Sequence, residues 1–184
     1  MDLNTLFTTQ LPLNRKERYY TGTVLPQIIA ADNFSFFNRF WELVTGQTEL
    51  EIQVGQEHFN IQFFTEYNLK ESAYNNVHAE TFKQVSGDTP DVLILVITAK
   101  FKVLIAIEAK MYEPIDVPSL IIQMRQQKKV IDILCNQLDI QIENTFHVAL
   151  VPEVFKSAAD SEIKLLVSWY PFGEVHLAHG VTGR

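Results

Sequence analysis

The sequence predicts an α/β sandwich, a β-sheet with both faces covered by helices. Two stretches carry that prediction: Val92 to Ile97 and Val103 to Ile107 are apolar at every position. A strand that faces water on one side alternates apolar with polar residues, whereas a strand buried on both sides does not. Segments with helical apolar spacing stand before and after these strands. From Thr65 onward the predicted order is helix, three strands, helix, strand, strand.

Taken in order, the chain opens with a polar, weakly patterned stretch through Asn14 to Arg18. Phe34, Phe37, Trp41 and Val44 then recur at helical spacing, predicting a helix from Asn33 that ends at Gly46. Leu50, Ile52 and Val54 alternate with polar residues, Gly55 supplies a turn, and Phe59, Ile61 and Phe63 alternate again, as a hairpin does. Thr65 to His78 is expected to be a helix with Thr65 as N-cap, Leu69, Ala73 and Val77 on its apolar face and Glu66 on or beside that face. A short strand over Thr81 to Val85, a turn at Ser86-Gly87-Asp88, and strands over Val92 to Thr98 and Lys102 to Lys110 make a meander. Pro118 suits the first turn of the following helix, on which Leu120, Ile121, Met124, Ile131, Leu134, Cys135 and Leu138 keep helical spacing. Phe146 to Val151 and Ile163 to Trp169 read as the last strands, closed by Pro152 and Pro171.

Composition sets bounds on this fold. With 184 residues, 47% hydrophobic and 20% charged, the chain suits one domain over 1–184 with a packed core rather than a disordered or fibrous protein. There is no internal repeat, low-complexity tract or linker. The single cysteine, Cys135, cannot form an internal disulfide and no charged-then-apolar leader opens the sequence, so the expectation is a soluble cytoplasmic protein. Lys100 and Lys102 interrupt the longest apolar run, which excludes a membrane partner on hydropathy grounds. The net charge of −7 argues against coating a nucleic acid through bulk positive charge, so any polyanion must be held locally or through bound cations.

Chemistry concentrates at the end of one strand. In Ile105-Ala106-Ile107-Glu108-Ala109-Lys110, a doubly buried strand acquires a carboxylate and an amine two residues apart, which alternation places on one face. Burying either charge without partners is costly, so this strand end should open into a polar pocket or bind an ion. Were the two middle strands antiparallel neighbours, Asp91 at the start of one would lie level with Glu108 at the end of the other. Two carboxylates suit a hard divalent cation, Mg2+ or Mn2+, that bridges a phosphate and polarises a water.

Thr89-Pro90-Asp91 followed by Ile107-Glu108-Ala109-Lys110 resembles the PD…ExK signature of the PD-(D/E)XK nuclease superfamily, which includes restriction endonucleases and related resolvases. The resemblance covers Thr65 to Val151, a core at 65–151 to which 1–64 adds a helix and a hairpin. It implies a restriction-endonuclease-like three-layer sandwich with a central mixed β-sheet flanked by helices. It further implies Mg2+ or Mn2+ held by Asp91, Glu108 and the carbonyl of Ala109, with Lys110 orienting or activating the attacking water. An added acid from the helix before the meander corresponds to Glu66, with Glu80 as the alternative, and a supporting glutamine on the next helix to Gln123 or Gln127. The implied activity is hydrolysis of phosphodiester bonds by a metal-dependent endonuclease, with DNA ahead of RNA as partner. A homo-oligomer would suit double-strand cleavage, although no interface is readable.

Plainer readings stand beside these. Glu108 and Lys110 could form an ordinary ion pair at a strand end, Asp91 after Pro90 could be a turn residue, and Glu66 could complement a helix dipole. Arg125, Lys128 and Lys129 could contact a nucleic-acid backbone or form a solvated helix face. His176 and His179 have ligand spacing but lack cysteines or a cluster of acids around them. The alternative function is a catalytically silent nuclease-fold module for binding or assembly.

Overall fold

The computed structural model describes residues 19–46, 59–66, 68, 80, 83, 89–110, 116–137, 142–151 and 166–168. A π-helical turn over Tyr20–Val24 runs into helix α1 (Leu25–Thr45). Five strands, β1 (Asn60–Thr65), β2 (Val92–Ile97), β3 (Lys102–Ala109), β4 (Asn144–Val151) and β5 (Leu166–Ser168), form one sheet in that order. Helix α2 (Val117–Gln137) joins β3 to β4. β1, β2 and β3 are antiparallel, while β4 runs parallel to β3 and β5 parallel to β4. The sheet is therefore mixed and the fold is α/β.

Alternation along the strands divides the core into two faces. Val92, Ile94 and Val96 of β2, with Val103, Ile105, Ile107 and Ala109 of β3, pack against Leu25, Ile29, Phe37, Phe40, Trp41 and Val44 of α1. Leu93, Leu104 and Ala106 turn the other way, toward Val130 and Ile131 of α2. Nearer the start of α2, Leu120 and Met124 rest on Ala149 and Val151 of β4. Each fully buried aliphatic side chain contributes about 1.5–3 kcal/mol by leaving water, which is why β2 and β3 can be apolar on both faces. α2 begins after Asp116, whose carbonyl accepts the Leu120 N–H at 3.0 Å and whose carboxylate accepts the Ser119 hydroxyl.

Several boundaries differ from expectation. α1 begins at Leu25 rather than Asn33, because Leu25 and Ile29 extend the buried stripe backwards past Pro26, which is tolerated in a first turn. Phe34, beside the expected start, has φ 65° within this continuous helix. Gly46 does end the helix, with φ 70° and its N–H on the Glu42 carbonyl at 2.8 Å, the left-handed stop that glycine adopts freely.

Thr65 is not an N-cap but the last residue of β1, paired with Val92. The first strand of the antiparallel meander is therefore β1; of the expected strand over Thr81 to Val85 only Lys83 lies among the described residues, where it is helical, as is Glu80, and the two form an exposed ion pair at 2.6 Å. A polar i, i+3 pair of this kind stabilises a helix. The remaining helical positions Leu69, Ala73 and Val77, the first arm of the hairpin over Leu50 to Val54, and His176 and His179 lie outside the described residues. The observed β2, β3, α2 and β4 agree with their expected spans to within two residues, and β5 falls inside Ile163 to Trp169.

Candidate functional site

The site forms where β2 starts and β3 ends, under the middle of α2. Val92 pairs with Ile107, so one step further Asp91 stands level with Glu108 across the two strands. On the next strand over, Glu66 is level with Asp91 and its N–H donates to the Asp91 carbonyl at 3.0 Å. That bond shows that the Asp91 backbone faces β1. Because backbone groups alternate in direction along a strand, the groups of residue 90 face β3, where the pairing sets them opposite Ala109.

Residue 90 is proline, which has no N–H to give to the Ala109 carbonyl. The β2–β3 ladder therefore stops there. In its place the Asp91 side chain accepts the Ala109 N–H through Oδ2 at 2.8 Å. One carboxylate thus terminates the ladder and is anchored by it.

Glu108 follows the alternation that sends Leu104 and Ala106 toward α2, and its side chain is only 1% exposed. A carboxylate buried this far needs a donor for each oxygen. Lys110 Nζ donates to Oε1 at 2.6 Å, and Gln127 Nε2 donates to Oε2 at 2.6 Å. Lys110 remains 31% exposed, so the ammonium lies between Glu108 and solvent. Gln127 is fully buried on α2, and its Nε2 also lies 3.4 Å from the Thr89 carbonyl.

His147, on β4, completes the group: its Nε2 is 3.0 Å from Gln127 Oε1. Burial pushes the imidazole pKa down from 6.5 to about 4, with Lys128 adding to the shift and Asp132 opposing it, so the ring is neutral at neutral pH. Sequence reasoning missed this residue. Its signal was a single polar side chain facing α2 within the otherwise apolar run Phe146 to Val151, at a position two residues before buried Ala149.

The expected site residues thus divide. Asp91 is hydrogen-bonded to Ala109, and Glu108 to Lys110 and Gln127, the two sets meeting through the chain at Glu108-Ala109. Gln123 is half-buried one turn earlier on α2. Glu66 is exposed at the end of β1 with φ 51°, so it reaches the rim of the site from a strand and not from a helix. Glu80 is occupied by Lys83. Cys135 lies on the other part of α2 near Thr145 Oγ1 at 3.6 Å, and burial raises its thiol pKa, as expected for a packing residue.

Among the described residues, no three His, Cys, Asp or Glu side chains gather as a metal-holding group. A divalent cation here would have two carboxylates, Asp91 and Glu108, and one main-chain carbonyl, that of Ala109. All are hard oxygen donors of the kind Mg2+ and Mn2+ take. No protein-family model matches the chain, and neither a curated protein nor a solved structure matches it. No described helix is long and apolar enough to cross a membrane.

Proposed function

We propose that the chain is a metal-dependent phosphodiester hydrolase with a restriction-endonuclease-like core, acting on DNA. The reading rests on one observation above all: Asp91 and Glu108 stand level across two strands and are tied through Ala109, with Lys110 against Glu108. The order α1, three antiparallel strands, α2 and a parallel strand repeats the element types of the core the PD…ExK resemblance implies, with the helix and first strand drawn from 25–65 and not from 65–85. Pro90 adds a further reason, because it leaves the Ala109 carbonyl without a ladder donor at the place where the resemblance calls for a ligand.

On this reading Asp91, Glu108 and the Ala109 carbonyl would hold Mg2+ or Mn2+. When bound, the cation supplies a Lewis acid for a phosphoryl oxygen and an acidified water. The Lys110 ammonium, held against Glu108, would orient the attacking water and stabilise the charge that develops on the phosphate. Burial of Glu108 keeps its carboxylate from rotating into solvent, so its orientation is set before substrate arrives. Gln127 keeps its hydrogen bond to Oε2.

A second reading, the catalytically silent module, is favoured by a specific feature: both Glu108 oxygens are already satisfied by this chain's own donors. Calorimetric titration of Mg2+ and Mn2+ into the wild type and Asp91→Ala, with plasmid cleavage on the same samples, separates the two. Asp91-dependent binding together with cleavage supports the hydrolase. Absence of both binding and cleavage across supercoiled, linear and single-stranded DNA would sink it in favour of the module.

A further inference from the structure

His147 is a half-buried imidazole for which the proposed chemistry has no direct use. It stands on β4 level with Ala106, two residues short of Glu108 on the neighbouring strand. Phe146 and Val148 on either side of it pack toward α1, so alternation turns His147 toward α2. There its Nε2 meets Gln127 Oε1 at 3.0 Å.

Donor and acceptor roles in this group are forced. Gln127 Nε2 donates to Glu108 Oε2 at 2.6 Å, which leaves Oε1 facing His147, and an amide oxygen only accepts. His147 Nε2 must therefore carry the hydrogen, and the neutral ring has a bare Nδ1. Flipping the Gln127 amide would press its oxygen against a carboxylate oxygen and its NH2 against the imidazole N–H. Both ends of the fully buried amide are thus clamped.

We propose that His147 is a positioning residue which, acting through the Gln127 amide, holds the Glu108 carboxylate with Oε2 turned into the fold and Oε1 presented to Lys110 and the cation. Without the imidazole donor the Gln127 amide can turn or draw away toward the Thr89 carbonyl, and Glu108 loses one of its two restraints. The catalytic consequence rests on the hydrolase reading; the clamp itself does not.

The test therefore has one arm that needs no metal. Nitrogen-15 NMR of the wild type reads the His147 tautomer and the Gln127 side-chain amide. Hydrogen on Nε2 is expected, with a Gln127 amide signal that moves in His147→Leu and stays near its wild-type position in His147→Gln, whose side-chain NH2 reaches about as far as Nε2. Hydrogen on Nδ1, or a Gln127 signal unchanged in His147→Leu, overturns the clamp even if the protein cleaves DNA. In the second arm, Mn2+ titration should weaken about tenfold in His147→Leu, as for other residues that orient a metal ligand, and recover in His147→Gln. Equal Mn2+ affinity in all three proteins overturns the positioning role. If the wild type binds no Mn2+ at all, the hydrolase reading fails and the NMR arm alone decides the clamp.

Discussion

Replacing Lys110 by methionine tests how the fold tolerates a carboxylate that is 1% exposed. Methionine keeps most of the aliphatic length and removes the ammonium that sits 2.6 Å from Glu108 Oε1. Deleting one partner of a fully buried pair costs about 3–5 kcal/mol, because the remaining charge is stranded. Here the loss should fall below that range. The Lys110 side chain is 31% exposed, so water can follow into its place, and Gln127 still donates to Oε2. We expect about 2–3 kcal/mol, read as a lower urea midpoint with unchanged slope by tryptophan fluorescence. The second half of the test is Glu108→Gln in the Lys110→Met background. It removes the stranded charge, keeps an oxygen for the Gln127 N–H and turns the new NH2 toward the partly open side. The double variant should return to within about 1 kcal/mol of the wild type, since the charge and not the shape causes the loss. A single-variant loss under about 0.5 kcal/mol, or a double variant less stable than Lys110→Met, would refute this account of the site.

Asp91→Asn should cost only about 1 kcal/mol in stability, since the amide oxygen can still accept the Ala109 N–H, but should abolish Mn2+ binding measured by calorimetry. Stability should also depend on acid through His147. Its pKa is 6.5 unfolded and about 4 folded, so between those values the unfolded chain binds a proton that the native protein does not. The native state therefore loses stability as pH falls through that window, by about 2 kcal/mol at pH 5, and urea midpoints in His147→Gln should lack that component. Phe37→Ala should cost about 3–5 kcal/mol by thermal or urea unfolding, because the ring is fully buried among Phe40, Trp41 and Phe59 and the surrounding rings cannot collapse onto the space.

What could be read from the sequence followed the strength of local pattern. β2 and β3 were legible because doubly apolar runs of that kind have few other uses, and α2 because its spacing holds over many turns. Asp91, Glu108 and Lys110 were legible from the same strands, since alternation and antiparallel pairing bring them level with no further information. Residues near Thr65 were misread because a threonine before an acid can cap a helix or end a strand equally well; the pairing of Thr65 with Val92, a long-range contact, decides it. Glu66 was carried onto a helix by the same error. The part played by Gln127 could be narrowed to two glutamines and no further, because both lie beside the apolar stripe of α2. Its contact with Glu108 depends on where α2 crosses the sheet. His147 lay beyond reach for the same reason: a histidine in a strand declares neither its face nor its partner until the register with β3 is known.

Pro90 joins the architecture of this sheet to its chemistry. Had any other residue stood there, its N–H could have closed the ladder onto the Ala109 carbonyl. Because proline cannot donate, that carbonyl receives no β2 N–H; the regular register ends at Val92 and Ile107, and the Asp91 carboxylate accepts the Ala109 N–H. Glu108 is then the last β3 residue that alternation turns beneath α2, and Lys110, two positions on, is the first that can reach solvent and still touch it. The order Pro-Asp, then Glu-x-Lys, is therefore also a rule for ending two paired strands with one excess negative charge: two carboxylates against one ammonium. A bound divalent cation would reverse that excess. Such a reversal is how a chain of net charge −7 could draw a phosphodiester to this one point while repelling it over the rest of its surface.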